Sequence, residues 1–324
     1  MEHVIALSQE DIARVKETGD KLINNIGKVL VGKREAVELL LVALLCESHL
    51  LIEDVPGIGK TILAKAAAKS LECSFKRIQC TPDLLPSDVT GIHYFNQKNG
   101  EFEFRPGPII ANFVLVDEIN RATPRTQSCL LECMQEQQVT VDLDTLPLPR
   151  PFMMLATQNP VELQGTFPLP EAQLDRFLMC LRLGYPDESE EQNILLRFQE
   201  VNPLDTLTSV VTGDKMLEIQ KYCRRVYVDE SVRSYIVALT RATRTHKSIE
   251  LGASPRATLG LNMAAQALAA IRGRTYVIPD DVKYLAVPVL THRLTAKPEA
   301  RIKGRSLDVI VKEIIEIVPV PVEK

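Results

Sequence analysis

The sequence predicts an α/β fold, a central parallel sheet flanked by helices, followed by a smaller all-helical unit. Three observations carry this expectation. Apolar runs short enough to be buried strands recur at residues 50–53, 75–79, 113–118, 152–159 and 177–183, and several end in polar or acidic residues. Between most of them lies a stretch of helical periodicity. Beyond Pro186 only helical periodicity remains, at residues 188–200, 215–224, 232–245, 255–271 and 279–290, with a short candidate at 306–317. A chain of 324 residues is long enough for about two cores. The expected division is an α/β unit over residues 1–185 and a helical unit over 186–324.

Taken in order, residues 8–30 carry Ile12, Val15, Leu22, Ile23 and Ile26 at helical spacing, with Ser8 and Asp11 as a cap signal, so one or two amphipathic helices are expected. Val31-Gly32-Lys33 breaks the pattern, and residues 34–47 form a second helix that runs directly into the first strand. A further helix is expected to start at Thr81-Pro82-Asp83. Two aromatic runs at residues 92–95 and 102–104 flank Asn99-Gly100, which predicts a hairpin with a type I′ turn. Thr123-Pro124 opens a helix to about Gln137, and Val139, Val141 and Leu143 alternate before Asp144-Thr145, which predicts a second hairpin. Residues 164–170 read as a loop. Ser254-Pro255 is a helix start with Arg256 in the first turn. The last residues, rich in Val and Pro, are expected to be loose.

The run from Leu50 to Thr61, with Pro56, Gly57, Ile58, Gly59, Lys60 and Thr61 ahead of Ile62, has the form of a strand, a glycine-rich loop and a helix start. Free N–H groups and the positive end of the helix dipole make such a junction an anion site. Lys60 can reach outer phosphates, and the Thr61 hydroxyl can ligate Mg²⁺. The loop consensus has glycine six residues before Lys60. Asp54 stands there and is expected to face away from the phosphates. Asp117 and Glu118 end a buried strand, where ligands of open α/β sheets bind: Asp117 can hold Mg²⁺ and Glu118 can polarise a water. The competing reading is an acidic strand end that caps a helix. Asn159 can orient an attacking water or be a turn residue before proline. Arg256 works against its helix dipole, which suits a phosphate ligand, although a plain surface arginine has the same look.

Composition narrows the classes. Hydrophobic residues at 45%, charged residues at 25% and a net charge of −4 describe an ordinary globular chain with no long-range attraction for nucleic acid. No apolar run approaches the roughly 20 residues of a membrane span, and the first residues lack a signal-peptide pattern, so a cytoplasmic location is expected. Seven cysteines form no CxxC pair. Free thiols are expected, with Cys129 and Cys133 on one helix face packing in the core rather than binding metal.

Residues 52–61, 105–122, 156–160, 169–177 and 252–257, in that order, resemble the MoxR family of AAA+ ATPases, and the resemblance covers about residues 20–320. It implies a P-loop nucleotide-binding core with a helical lid, ATP and Mg²⁺ as cofactors, and ATP hydrolysis. Residue by residue it implies Lys60 and Thr61 as the Walker A pair and Asp117 and Glu118 as the Walker B acids. Asn159 becomes the first sensor, Arg176 the arginine finger reaching a neighbouring subunit, and Arg256 the second sensor. Val31 and Gly32 contact the adenine. Arg121 and Arg125 are the alternative fingers. The hairpins match the helix-2 and pre-sensor insertions of this branch. The departure at Asp54 is shared by the family.

The resemblance further implies a ring homo-oligomer, a hexamer, that acts as a chaperone with a von Willebrand factor A domain protein to insert metal into, or mature, a client complex. Two other classes compete. A nucleic-acid motor of the same branch is disfavoured by the net acidity, by the lack of an appended nucleic-acid module and by hairpins nearly free of Lys and Arg, Lys98 apart, so nucleic acid is not an expected partner. A non-hydrolysing nucleotide-dependent scaffold is disfavoured because Glu118 and Arg176 are both present.

Overall fold

The computed structural model describes residues 7–142, 144–159, 165–199 and 201–321. The expectations that touch Leu143, Pro160, Gln164, Glu200, the first six residues and the end of the tail lie outside the described residues.

The chain opens with α1 (Gln9–Gly27), one continuous helix started by a reciprocal Ser8/Asp11 capping box, its apolar stripe buried. A second helix, α2 (Arg34–Leu45), is buried almost throughout and feeds β1 (Leu50–Glu53), from which the chain turns into α3 (Lys60–Ser70). The small side chains of Ala64, Ala66, Ala67 and Ala68 are buried and let α3 lie close on the sheet. Next come β2 (Phe75–Gln79), α4 (Pro86–Thr90), the hairpin of β3 (Gly91–Asn96) and β4 (Glu101–Pro106), and β5 (Phe113–Asp117). Thr123 caps α5 (Pro124–Glu136), after which β6 (Gln138–Val141) and β7 (Asp144–Pro147) form the second hairpin. Then follow β8 (Met153–Gln158), α6 (Glu171–Leu174) and β9 (Met179–Leu181). The rest is helical: α7 (Glu188–Arg197), α8 (Pro203–Thr206), α9 (Gly213–Cys223) and α10 (Glu230–Thr245). A strand, β10 (Ile249–Leu251), leads to α11 (Pro255–Ile271) and α12 (Pro279–Leu290). The chain closes with β11 (Thr295–Ala296), α13 (Pro298–Ile302) and α14 (Leu307–Ile317).

The five-stranded sheet has the order β2-β5-β8-β1-β9, parallel throughout. Its central strands are buried on both faces, and the period of two sorts their side chains. Leu50, Ile52, Phe113, Leu115, Met153 and Leu155 enter the core shared with α1, α2, α3 and the C-terminal helices. Leu51, Val114, Val116, Met154 and Ala156 enter the second core, under α5 and the hairpins. The C-terminal ends of β1, β5 and β8 are adjacent, so the three segments that follow them share one edge. Among the described residues no helix is long and apolar enough to cross a membrane.

Four expectations need correction. The helix after β2 starts at Pro86, not Pro82, because the Asp88 carboxylate accepts from the Leu85 N–H at 2.9 Å and closes the cap there. The first hairpin turns through a four-residue loop, since Asn96 pairs with Glu101 and only Gly100 of the Asn99-Gly100 pair has positive φ, whereas type I′ needs both. Arg105 belongs to β4, so Lys98 is not the hairpin's one cation. The helical half contains a small antiparallel pair, β10 with β11.

Candidate functional site

β1 ends in the loop that curls into α3. Gly57 (φ 85°) and Gly59 (φ 97°), the latter at the N-cap of α3, hold left-handed conformations that only glycine adopts without strain. No side chain caps α3, so its first N–H groups remain available to a ligand. They border a cavity of about 350 Å³ lined by Pro56, Gly57, Gly59, Lys60, Thr61 and Ile62 on one side and by Arg77, Gln79, Asp117, Glu118 and Asn159 on the other. Lys60 Nζ donates to the Asp54 carbonyl at 2.7 Å. Burial pulls its pKa down, while Asp117, Asp54 and Glu118 pull it up. The Asp54 carboxylate faces away from the cavity, as expected, but it is not free in solvent: it accepts the Val55 N–H at 3.0 Å and the Gly184 N–H at 2.7 Å.

The two acids leave β5 in different directions. Glu118 has φ 56° and ψ 52°, a left-handed conformation that costs a non-glycine residue about 1–2 kcal/mol and is often found at functional sites. Thr157 Oγ1 fixes the pair from β8, donating to Asp117 Oδ1 at 2.6 Å and accepting the Glu118 N–H at 2.8 Å. Arg77 Nη2 reaches Asp117 Oδ2 at 2.5 Å, and Glu118 Oε2 accepts from Gln79 at 3.0 Å and pairs with Arg121 Nε at 3.2 Å. Asn159, buried, completes the wall just after β8.

The other expected residues lie outside this cavity. Ile58 packs against the core from the loop. Val31 is buried and does not line this cavity, and the residue before it, Leu30, is the one that approaches the loop, its Cδ1 lying 3.3 Å from where a Cβ on Gly59 would sit. Gly32 (φ 73°) is confined by Glu190, whose Oε1 would stand 1.7 Å from a Cβ there. Lys33 Nζ donates to the Tyr185 carbonyl at 3.1 Å. A larger groove of about 540 Å³ starts at Gly32 and runs between α2, β9, α12 and α14, but it touches none of the loop or acid residues. Arg176 donates to the Leu131 carbonyl at 3.2 Å and lines a separate hollow with Glu132, Glu136 and Gln173. Arg256 is exposed at the start of α11, a helix tied to the segment before β9 by Ser254 Oγ, which donates to Asp175 Oδ2 at 2.8 Å. Of the alternative fingers, Arg121 is engaged with the chain's own Glu118 and Arg125 is exposed.

Sequence reasoning missed Arg77, Gln79 and Thr157. The signal for the first two was available: on a strand ending beside Asp117, alternation turns Arg77 and Gln79 to one face. It also missed Arg293, buried where the C-terminal helices meet the sheet, which donates to the Phe177 carbonyl at 2.7 Å and pairs with Asp175 at 3.0 Å. Cys129 and Cys133 are free thiols, the first half-buried and the second buried, and among the described residues no group of three or more His, Cys, Asp or Glu is arranged to hold a metal.

A family model described as "ATPase family associated with various cellular activities (AAA)" matches residues 49–179, and one described as "AAA lid domain" matches residues 241–314. The chain is 51% identical to the uncharacterized protein YeaC of Bacillus subtilis over 94% of this chain and 95% of that protein. It is 40% identical to chaperone MoxR1 of Mycobacterium tuberculosis over 96% of this chain and 85% of that one. Among solved structures, a protein from Cytophaga hutchinsonii superposes with a TM-score of 0.90 at 40% identity, covering 96% of this chain and 97% of its own.

Proposed function

Because the chain belongs to the MoxR family of AAA+ ATPases, we propose that it binds ATP with Mg²⁺ at the start of α3 and hydrolyses it to ADP and phosphate as one subunit of a homo-oligomeric ring, a hexamer. The observation that carries this reading is that Lys60, Thr61, Asp117, Glu118 and Asn159, drawn from three strand ends, line one cavity beside the uncapped N–H groups of a helix.

Thr61 and Asp117 fit Mg²⁺, since they are hard oxygen donors on the cavity wall and this ion takes its remaining ligands from phosphates and water. Bound there it would neutralise phosphate charge. The chain's own part is alignment and electrostatics, which is most of what phosphoryl transfer to water requires. The helix start and Lys60 hold the phosphates. Glu118, released from Gln79 and Arg121, accepts a proton from the attacking water, and Asn159 orients that water. Val31 and Gly32, just after the Leu30 that approaches Gly59, receive the adenine.

Arg176, the arginine finger, and Arg256, the second sensor, stand away from this cavity, and for Arg176 that suits a group that serves a neighbouring subunit's nucleotide. A trans arginine contributes on the order of 10³ to 10⁵ in rate, so an isolated subunit is nearly idle. In this reading the helical lid begins at Pro186, and nucleotide exchange moves it and the two hairpins between arrangements. The work done is that of a chaperone maturing a partner complex, including metal insertion, with a von Willebrand factor A domain protein; the name of the Mycobacterium tuberculosis relative supports the chaperone part.

The test measures binding of a fluorescent ATP analogue and steady-state turnover. Lys60→Ala is expected to lose binding, and Glu118→Gln to bind but not turn over. Normal hydrolysis by Glu118→Gln sinks the assignment of the base, and failure of the wild type to bind the analogue sinks the whole reading.

A further inference from the structure

Arg77 has no part in the chemistry above, yet it lines the same cavity. The pleat of β2 turns Arg77 and Gln79 to one side, and the parallel register sets Gln79 opposite Asp117. Both Nε and Nη2 of Arg77 point at Asp117 Oδ2, at 3.1 and 2.5 Å, and Nη2 also donates to Gln79 Oε1 at 2.8 Å. The other oxygen, Oδ1, holds the Thr157 hydroxyl at 2.6 Å. Both oxygens of Asp117 are therefore engaged from within the chain.

Two consecutive carboxylates at the mouth of a polar cavity are by themselves an attractive site for any divalent cation. Here each is matched by a guanidinium, Asp117 by Arg77 and Glu118 by Arg121. The Arg77 side chain is 48% exposed, so its bond to Asp117 is a weak one that a stronger competitor can break. A hydrated Mg²⁺ ion surrenders water reluctantly and competes poorly alone, whereas one already carrying phosphate oxygens is held by Lys60 and the helix start as well. We propose that Arg77 is a built-in counter-ion for Asp117, which keeps divalent metal off the acid pair until the metal arrives with nucleotide and then yields to it. This rests on the ATP-binding reading and deepens it toward the order in which metal and nucleotide load.

The test uses Mn²⁺ as the probe on nucleotide-free protein, with free Mn²⁺ followed by electron paramagnetic resonance. Arg77→Met is expected to bind Mn²⁺ about fivefold more tightly than the wild type, the most that a half-exposed ion pair withholds. Arg77→Lys, which keeps the charge on β2, is expected to behave as the wild type, and Asp117→Asn added to Arg77→Met is expected to cancel the gain. Equal Mn²⁺ affinity in Arg77→Met and the wild type overturns the proposal. So does a gain that survives Asp117→Asn, or one that Arg77→Lys shares. Binding of an ATP analogue in the presence of Mg²⁺ separates the two ideas: if the wild type does not bind it, the ATP reading fails, and if Arg77→Met loses it, Arg77 is a phosphate ligand and the counter-ion proposal fails alone.

Discussion

His49 sits one residue ahead of β1 and is buried between two elements that it joins. Its Nε2–H donates to the Met134 carbonyl at the end of α5 at 3.0 Å, and its Nδ1 accepts the Met154 N–H of β8 at 2.9 Å. Protonation would put a hydrogen on the accepting nitrogen and a charge in the core, and burial accordingly lowers its pKa from 6.5 to about 4. The unfolded chain thus takes up the proton first as pH falls. The stability contributed by neutral His49 is complete above pH 6.5 and is lost as pH drops toward 4. Between pH 7 and pH 5 the loss comes to about 2 kcal/mol. His292, buried with Nε2 against the Phe177 carbonyl and lowered to about 3 by burial and by Arg293, adds about 2 kcal/mol over the same interval. Urea unfolding of nucleotide-free protein at the two pH values measures the sum, nucleotide being omitted because it would stabilise the fold by mass action. His49→Gln keeps a donor for Met134, leaves the Met154 N–H unpaired at a cost of about 1–3 kcal/mol, and removes the titration. It should be less stable at pH 7 and lose only half as much on going to pH 5. An unchanged pH dependence in His49→Gln refutes the reasoning.

Three further outcomes are expected. Asp281 is fully buried and takes two bonds from Arg274 at 2.6 and 2.7 Å, so Arg274→Ala should cost about 3 kcal/mol in urea unfolding even with Arg272 nearby; a loss under 1 kcal/mol would mean that the acid is neutral or hydrated. His93 joins the two hairpins through Asp142 at 3.0 Å, and Asp142 is exposed, so His93→Ala should change global stability by under about 1 kcal/mol while speeding amide exchange in residues 138–147; unchanged exchange there would dissolve the link. Among the cysteines, Cys80 and Cys223 are raised to about 12 mainly by burial, whereas the hydrogen bond from Cys133 lowers Cys129, so iodoacetamide at neutral pH should label Cys129 first, as peptide mapping would reveal.

How much of this was legible in the sequence follows from how local each signal is. The strands β1, β5 and β8 are buried on both faces and so appear as continuous apolar runs, and Thr123-Pro124 and Ser254-Pro255 carry cap and first turn in adjacent residues. Thr81-Pro82 carries the same signature and misleads, because the deciding contact is between Asp88 and Leu85. In the site, Lys60, Thr61, Asp117 and Glu118 are read from single stretches. Thr157 and Arg77 matter only through the register of strands about 40 residues apart, and Arg293 meets Asp175 across more than a hundred residues. Arg176 and Arg256 are visible as residue types, but what Arg176 touches in the proposed ring belongs to another copy of the chain.

The bond from Asp54 to Gly184 bears on anyone who redesigns this protein by majority vote. Measured against the general loop pattern, Asp54 is a blemish, and a consensus library would repair it to glycine. The repaired loop would match the pattern better and bend more freely, yet its rim would come unstitched from the backbone that leaves the last strand of the sheet. At this position one residue serves two neighbouring structures, and a motif search scores only the first of them.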